Sequence, residues 1–439
     1  MPASSQGAVD LGVDTETWLI KFDKHGDCVS PKTREALLER LEAVPDKPVI
    51  VFSHGWNNDF DQATERYSGL LKELEKHLAA QHSSVKPLFV GVIWPSIWLS
   101  FDEGMSIAST PGLAGTDAEQ SYASGLASSL DPAGRARFYE LMQTPRLDEA
   151  GAQELAVLLS GSLMRQAEPM DDAVEDGAAP GPGDLFAAFD AVQRTDAPTG
   201  GDDDILPEGG SIDGPAGGTP GMAGVLSFLD PRWALRVASV YQMKDRAGKV
   251  GARGVAPMLA QILQRSSAVH LVGHSYGCKV MLSALARADT VAKARSMLLL
   301  QPAVSHLAFA STLPETKEPG GYHMIPGRVA KSLVMTYSAN DTALHKMFHL
   351  ALRRKKDLGD VIIAPAGVPP SRYAALGGYG PRGAGEDLRG PLPQPGMTVQ
   401  LPTGGSPVAF DGSEGQIMGH GDVVKPVTAW LLYLQLHMA

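Results

Sequence analysis

The stretch "VHLVGHSYGCKV", residues Val269–Val280, decides the fold. Its first half is apolar and rich in β-branched residues, which predicts a buried strand. In its second half Gly273 and Gly277 flank Ser275, and a helix is predicted to begin near Cys278. A turn this sharp between strand and helix leaves no room for side chains two residues before or after the serine, and it lifts the hydroxyl above the sheet edge. The stretch therefore predicts Ser275 as a nucleophile.

The plainer alternative is that Ser275 is an ordinary hydroxyl at the end of a strand. A bare G-x-S-x-G pattern is common by chance, so the pattern alone does not decide between the two. The strand before the serine and the helix after it favour the nucleophile, because a helix N-terminus stabilises developing negative charge.

Buried strands alternate with amphipathic helices on either side of this stretch. A helix after Ser30 and another after Asp61 separate the first three predicted strands. The predicted strands are Trp18–Phe22, Pro48–Ser53, Pro87–Trp94, Ala268–His274, Ser296–Ala303, Ser332–Ser338 and Thr398–Leu401. Continuous apolar strands separated by helices predict the α/β class, with a mostly parallel central sheet covered by helices on both faces.

The alternation stops between Pro95 and Leu229. Helices are predicted there only at Pro132–Gln143 and Asp148–Arg165, and the Gly-, Pro- and Asp-rich segment 171–224 is predicted to be largely mobile. We therefore expect a core formed by residues 15–96 and 230–439, with residues 97–229 inserted as a large cap or lid. A helix near Thr342–Leu352 and a C-terminal helix complete the expected core.

Composition excludes several classes of function. The chain has 439 residues, 44% of them hydrophobic, and a net charge of −11, which does not suit nucleic-acid binding. Two cysteines, Cys28 and Cys278, form neither a disulfide framework nor a metal-binding pattern. We expect no metal and no cofactor. The N-terminus has no signal-peptide pattern and no apolar run is long enough to span a bilayer, so a cytoplasmic protein is expected.

A serine nucleophile needs a base, and the base needs an acid to orient it. In this fold class the acid follows a later strand, and "SLVMTYSAND" supplies Asp341 at that place. Asp341 or Asn340 could equally serve as a helix N-cap. Asp357 and Asp360 are alternative acids further along the same connection.

The base is predicted on a loop just before the C-terminal helix. "GQIMGHGDVVKP" places His420 there, between two glycines. His323, His345 and His349 are weaker candidates for the base. They come too early in the chain or lie in predicted helices. Asp422 is too close in sequence to His420 to be its acid and is better explained as a residue at the start of the helix.

The oxyanion hole needs two backbone donors. One is expected to be the N–H of Tyr276, directly after the nucleophile. The other is expected to be the N–H of Trp56, in "VIVFSHGWNND", with His54 and Gly55 supporting it as Gly273, His274 and Gly277 support the elbow. The alternative is a plain strand–turn–helix connection with Asn57 or Asn58 as turn residue or cap.

With these motifs the chain resembles serine hydrolases of the α/β-hydrolase fold. More narrowly, it is similar to a bacterial esterase/lipase-like group with a His-Gly-Trp oxyanion motif, the elbow 273–277, a "YSxxDxAL" acid loop at 337–344 and a final histidine, here His420. The resemblance covers about residues 18–96 and 230–439, and not the insertion. It implies a hydrolase that cleaves carboxylic esters of small molecules or lipids through an acyl-enzyme.

Amide cleavage, acyl transfer and phospholipase activity use the same machinery, and a non-catalytic binding protein could keep the fold alone. The aromatic residues around the point where the insertion leaves the core, Trp94, Trp98 and Phe101, are candidates to line an acyl pocket, although they could equally pack the insertion on the sheet. Cys278 is better explained by packing than by thiol chemistry.

Overall fold

A computed structural model describes residues 7–56, 58–96, 117–166, 180–195, 229–313, 317–341, 343–344 and 374–438. Its centre is an eight-stranded sheet whose paired strands are all parallel, in the order β1-β3-β2-β4-β5-β6-β8-β7. The strands are β1 Glu16–Lys21, β2 Val49–Ser53, β3 Leu88–Ile93, β4 Val269–His274, β5 Ser296–Leu300, β6 Leu333–Tyr337, β7 Asp387–Arg389 and β8 Pro407–Asp411.

The described helices are α1 Pro31–Ala43, α2 Phe60–Ala80, α3 Asp117–Ser128, α4 Pro132–Gln143, α5 Glu149–Gln166, α6 Pro182–Thr195, α7 Pro231–Lys249, α8 Ala256–Arg265, α9 Tyr276–Arg287, α10 Leu376–Tyr379 and α11 Pro426–Leu436. A π-helical turn, Val250–Val255, joins α7 to α8. A Cβ at Gly251 would lie 2.4 Å from the carbonyl oxygen of Val280, so glycine lets this turn pack directly on α9.

Both faces of the sheet are apolar, as its continuous hydrophobic strands predict. In β2, Val49 and Val51 belong to the cluster packed against α1, α7, α8 and α9, whereas Ile50 and Phe52 belong to the cluster packed against α2 and α11. Alternate residues of one strand thus face opposite helical layers, which is the period-2 geometry of a strand buried on both sides. The predicted α/β class is confirmed.

Four of the described helices, α3 to α6, lie between β3 and α7 in the chain. Their apolar residues form a separate cluster with the first half of α7, including Phe138, Leu155, Phe189 and Trp233. The sequence prediction missed α3 and α6, and α6 lies within the segment predicted to be largely mobile. Leu185, Ala188 and Phe189 give α6 an i, i+3, i+4 apolar stripe, and the Gly- and Pro-rich composition around it hid this stripe.

The predicted strand at Thr398–Leu401 is wrong. That segment has no strand pairing, and the strand that pairs with β6 is β8, a few residues later. Val399 and Leu401 are apolar because they pack on the cluster beneath α2 and α11, so their alternation reflects burial without pairing. Most of the predicted helix at Thr342–Leu352 lies outside the described residues.

The order of the strands determines which loops meet. β2 pairs with β4, and Ser53 lies opposite Gly273 at their carboxyl ends. β6 pairs with β8, so the loops after these two strands also neighbour each other. Because the carboxyl ends of parallel strands meet at one edge, all the loops with predicted site residues open toward the same side of the sheet.

Candidate active site

Ser275 occupies a strained turn between β4 and α9. Its backbone has φ 55° and ψ −126°, a conformation that residues other than glycine rarely adopt. A Cβ at Gly277 would lie 2.1 Å from the carbonyl oxygen of Ser53, and one at Gly273 would lie 2.6 Å from the Cα of Cys278. Both positions therefore require glycine, for the reason that the motif suggested.

The predicted triad residues lie within hydrogen-bonding distance of one another. His420 Nε2 is 2.7 Å from Ser275 Oγ, and His420 Nδ1 is 2.9 Å from Asp341 Oδ2. Since the carboxylate can only accept, Nδ1 carries the proton and Nε2 is left to accept from the serine hydroxyl. Asp341 is fully buried, and its Oδ1 accepts from the N–H of Leu344 at 3.0 Å. This arrangement can transfer a proton from Ser275 to His420 while Asp341 orients the ring.

The alternative candidates for the acid and the base make other contacts or lie outside the described residues. Asp422 accepts from the N–H of Met418 and pairs with Lys425, so its carboxylate stabilises the loop that carries His420. His323 hydrogen-bonds to the carbonyl oxygen of Gly320. His345, His349, Asp357 and Asp360 lie outside the described residues.

Gly55 packs directly against Ser275, since a Cβ on it would lie 2.7 Å from the Cβ of Ser275. Its carbonyl oxygen accepts from His54 Nδ1 at 3.0 Å and from Asn58 Nδ2 at 3.0 Å. This carbonyl and the N–H of Trp56 belong to one trans peptide plane and point in opposite directions. Fixing the carbonyl of Gly55 therefore fixes the direction of the predicted oxyanion donor.

His54 supports this peptide from below. It is buried, and its ring stacks on Trp94 at 5.6 Å between centroids. Its Nε2 accepts from the N–H of Trp94 at 3.3 Å. Burial lowers the pKa of His54 to about 4, so at neutral pH the ring is neutral and can donate from Nδ1 while accepting at Nε2. An acyl-pocket role for Trp94 stays a prediction, and Trp98 and Phe101 lie outside the described residues.

The loop that carries His420 is held by three side chains. The carbonyl oxygens of residues 419–421 accept, in order, from Gln301 Nε2 at 2.9 Å, His274 Nε2 at 2.9 Å and Arg66 Nη1 at 3.2 Å. Burial, with His420 nearby, holds the pKa of His274 well below its usual range, so it remains a neutral donor. Each donor comes from a different element, which restrains a loop whose glycines would otherwise leave it free to move.

Sequence reasoning missed Gln301, Arg66 and the supporting role of Asn58. Arg66 Nε donates to Asn58 Oδ1 at 2.6 Å, which orients the amide that holds Gly55. Arg66 thereby links the loop that follows β2, which carries the predicted oxyanion donor, to the His420 loop. For Gln301 one signal was available, because it is a polar residue directly after β5 at the edge where the site forms.

The thiol of Cys278 is buried behind the elbow and lies 3.6 Å from the carbonyl oxygen of Leu300. Burial raises the pKa of this thiol well above its usual range, which disfavours the reactive thiolate. Cys28 is a free, half-buried cysteine. Within the described ranges no cluster of three or more His, Cys, Asp or Glu side chains could hold a metal ion.

A family model described as "Alpha/beta hydrolase of unknown function (DUF900)" matches residues 30–112. The matched part contains α1, β2, the loop after β2, α2 and β3, whereas Ser275, Asp341 and His420 follow it in the chain. The searches found no matching curated protein and no matching solved structure. Together with the eight-stranded parallel sheet, the family match shows that the chain has the α/β-hydrolase fold. None of the helices in the described part is long and apolar enough to cross a membrane.

Proposed function

We propose that the chain is a serine hydrolase that cleaves carboxylic esters through an acyl-enzyme on Ser275. The observation that carries this proposal is the continuous hydrogen-bonded chain from Ser275 Oγ through His420 to Asp341, at 2.7 and 2.9 Å. It begins at a strained elbow beside an immobilised oxyanion loop. A structural serine would need neither the strain nor the buried acid.

In the first half-reaction Ser275 Oγ attacks the ester carbonyl carbon and gives its proton to His420 Nε2. The N–H groups of Trp56 and Tyr276 stabilise the negative charge that develops on the carbonyl oxygen. As the intermediate collapses, the bond to the leaving alcohol breaks and His420 delivers its proton to that oxygen. The acyl group is now esterified to Ser275.

In the second half-reaction His420 takes a proton from water, whose oxygen attacks the acyl carbon. The bond to Ser275 Oγ breaks, the serine regains its proton from His420, and the carboxylic acid leaves. Throughout both steps Asp341 keeps Nδ1 protonated and stabilises the imidazolium. Because His54 and His274 remain neutral, neither adds a positive charge beside this ion.

The proposal also assigns residues 97–229 as an inserted lid beside a core of residues 15–96 and 230–439. The separate apolar cluster of α3 to α6 supports this, because these helices pack on one another and on α7. A lid in this place would select substrates by the size of the acyl group.

Hydrolysis of p-nitrophenyl esters from acetyl to palmitoyl, compared with p-nitroacetanilide, tests the proposal and separates ester from amide cleavage. We expect ester turnover that falls by at least about 10⁴-fold in Ser275→Ala. Ser283→Ala is the matched control, since Ser283 lies further along α9 and hydrogen-bonds to Tyr322. Turnover of the anilide at the ester rate, or equal activity in Ser275→Ala, would contradict the proposal.

A further inference from the structure

Gln301 directly follows β5 and has a backbone conformation that is unusual for its residue type. Its φ is 45°, in the left-handed region, and its side chain is fully buried. Ser275, which directly follows the neighbouring strand β4, also has a positive φ, and its N–H donates to the carbonyl oxygen of Leu300. Backbone strain of this kind persists where the surroundings enforce it, and it concentrates at functional sites.

The amide of Gln301 contacts two parts of the candidate site. Nε2 donates to Asp341 Oδ2 at 3.0 Å and to the carbonyl oxygen of Gly419 at 2.9 Å, which uses both of its protons. The reversed amide would place Oε1 against two acceptors, so the hydrogen-bond partners fix its orientation. Oε1 itself is buried with no partner among the described residues. Leaving this oxygen unpaired carries a cost, which the two donated hydrogen bonds offset.

Three donors together immobilise the carboxylate of Asp341. Oδ2 accepts from both His420 Nδ1 and Gln301 Nε2, while Oδ1 accepts from the N–H of Leu344. Without Gln301 the carboxylate of Asp341 would lose the hydrogen bond from Nε2 and, besides His420, would keep the N–H of Leu344 as a described donor. The carbonyl oxygen of Gly419 would lose the hydrogen bond from the same amide. The acid and the histidine loop would then be free to shift relative to each other.

We propose that Gln301 is a positioning residue that ties the carboxylate of Asp341 to the backbone of the His420 loop. Through this link His420 meets Asp341 and Ser275 at once. The inference rests on the proposed function, because it assigns Gln301 a task only if the three residues act as a triad. Gln301 acts through Asp341 and Gly419 and touches no reacting atom.

Two substitutions test the role. Gln301→Asn keeps the amide and tolerates a positive φ, but it is one methylene too short to make both hydrogen bonds. Gln301→Met keeps the length and removes the donor. We expect each to lower kcat by about 10- to 100-fold, the usual effect of losing a hydrogen bond to a charged group, with KM changed by less than about twofold because no substrate contact is lost.

The matched control is Gln435→Met. Gln435 is also buried, and its Nε2 donates to the carbonyl oxygen of Met297 and to Ser332 Oγ, both at 3.0 Å. These contacts lie at the amino ends of β5 and β6, away from the candidate site. We expect this variant to lose thermal stability and to keep kcat. If Gln301→Met does not fold, Gln301→Gly removes the amide in a residue that accepts φ 45° without strain.

A second readout is the downfield proton resonance of the hydrogen bond between His420 Nδ1 and Asp341, which needs no turnover. We expect this resonance in the wild type and its loss or displacement in both Gln301 variants. Wild-type kcat together with an unchanged resonance in Gln301→Asn and Gln301→Met would overturn this inference and leave the proposed function intact. A folded wild type that hydrolyses no ester would instead contradict the proposed function, and the resonance would still decide whether Gln301 positions the pair.

Discussion

The carbonyl oxygen of Ser53 lies 2.1 Å from the position that a Cβ atom would take at Gly277. The end of β2 and the first turn of α9 are therefore in backbone contact. This contact holds the predicted oxyanion loop, which follows Ser53, against the turn that carries Ser275. One glycine thus joins the two halves of the candidate site.

Gly277→Ala tests this contact. Because the obstructing atoms are backbone, the methyl group can be accommodated only if β2 and α9 separate, and we expect a loss of more than about 3 kcal/mol in the free energy of unfolding. Gly327→Ala is the control, since a Cβ there meets no atom within 4 Å. Chemical denaturation of both variants measures the difference. Equal stability of the two would show that the contact is not restrictive.

The sequence was sufficient to predict the elbow, its glycines and the strands on either side, because each depends on local sterics and periodicity. For Asp341 the sequence left two interpretations open, a helix cap and a triad acid. The contacts fit both, because Oδ1 accepts from the N–H of Leu344, as a cap would, and Oδ2 accepts from His420, as the proposed triad acid would. Two carboxylate oxygens allow one residue to make both contacts.

The remaining contacts depend on the packing of distant segments. Arg66 and Gly421 are 355 residues apart, and no local pattern marks an arginine that will donate to a loop carbonyl. The strand β8 was missed because the segment before it shows the alternation of apolar and polar residues that is typical of a strand. There Val399 and Leu401 pack on the apolar cluster under α2 and α11 without forming a strand. Burial and strand pairing give the same pattern in a short segment.

Arg66 is expected to couple the two loops of the site. Its Nε donates to Asn58 and its Nη1 to Gly421, a divergent pair of hydrogen bonds that the single ammonium group of lysine cannot reproduce. Arg66→Lys should lower kcat by about tenfold. Arg328→Lys is the control, since Arg328 donates to the backbone at the end of α9 and should affect stability alone. Equal kcat in wild type and Arg66→Lys would contradict the coupling.

Buried histidines should make the fold sensitive to mild acid. Burial lowers the pKa of His54 to about 4 and that of His270 to about 3, and it holds the pKa of His274 well below its usual range. Below about pH 6.5 the unfolded chain binds protons that the folded chain does not, so stability falls as pH falls from 6.5 toward 4.

Each histidine should contribute about 1.4 kcal/mol per pH unit to this loss. His270 pairs with Ser296 inside the sheet, away from the predicted catalytic residues, so His270→Gln should remove one such contribution. Urea unfolding between pH 7 and pH 5 measures how steeply the free energy of unfolding falls with pH in the wild type and in His270→Gln. Identical slopes in wild type and His270→Gln would show that His270 is not neutral in the folded state.

Phe189→Ala tests whether the insertion acts as a lid. Phe189 is fully buried in the cluster of α3 to α7, and its truncation should cost about 3–5 kcal/mol of packing there. Only the α7 part of this cluster belongs to the proposed core, and Phe189 does not, so hydrolysis of the acetyl ester should persist while the preference for longer acyl chains changes. An unchanged chain-length profile in a variant with a loosened insertion would argue against a lid.

The most direct measurement is reaction of the purified protein with a fluorophosphonate probe, followed by peptide mapping. Activated serines form a stable bond to phosphorus, with loss of fluoride, and unactivated serines do not. We expect a label on Ser275 in the wild type, none in Ser275→Ala, and a rate of labelling in His420→Ala that is lower by several orders of magnitude. A folded wild type that takes no label, or takes it on another residue, would contradict the assignment of Ser275 as the nucleophile.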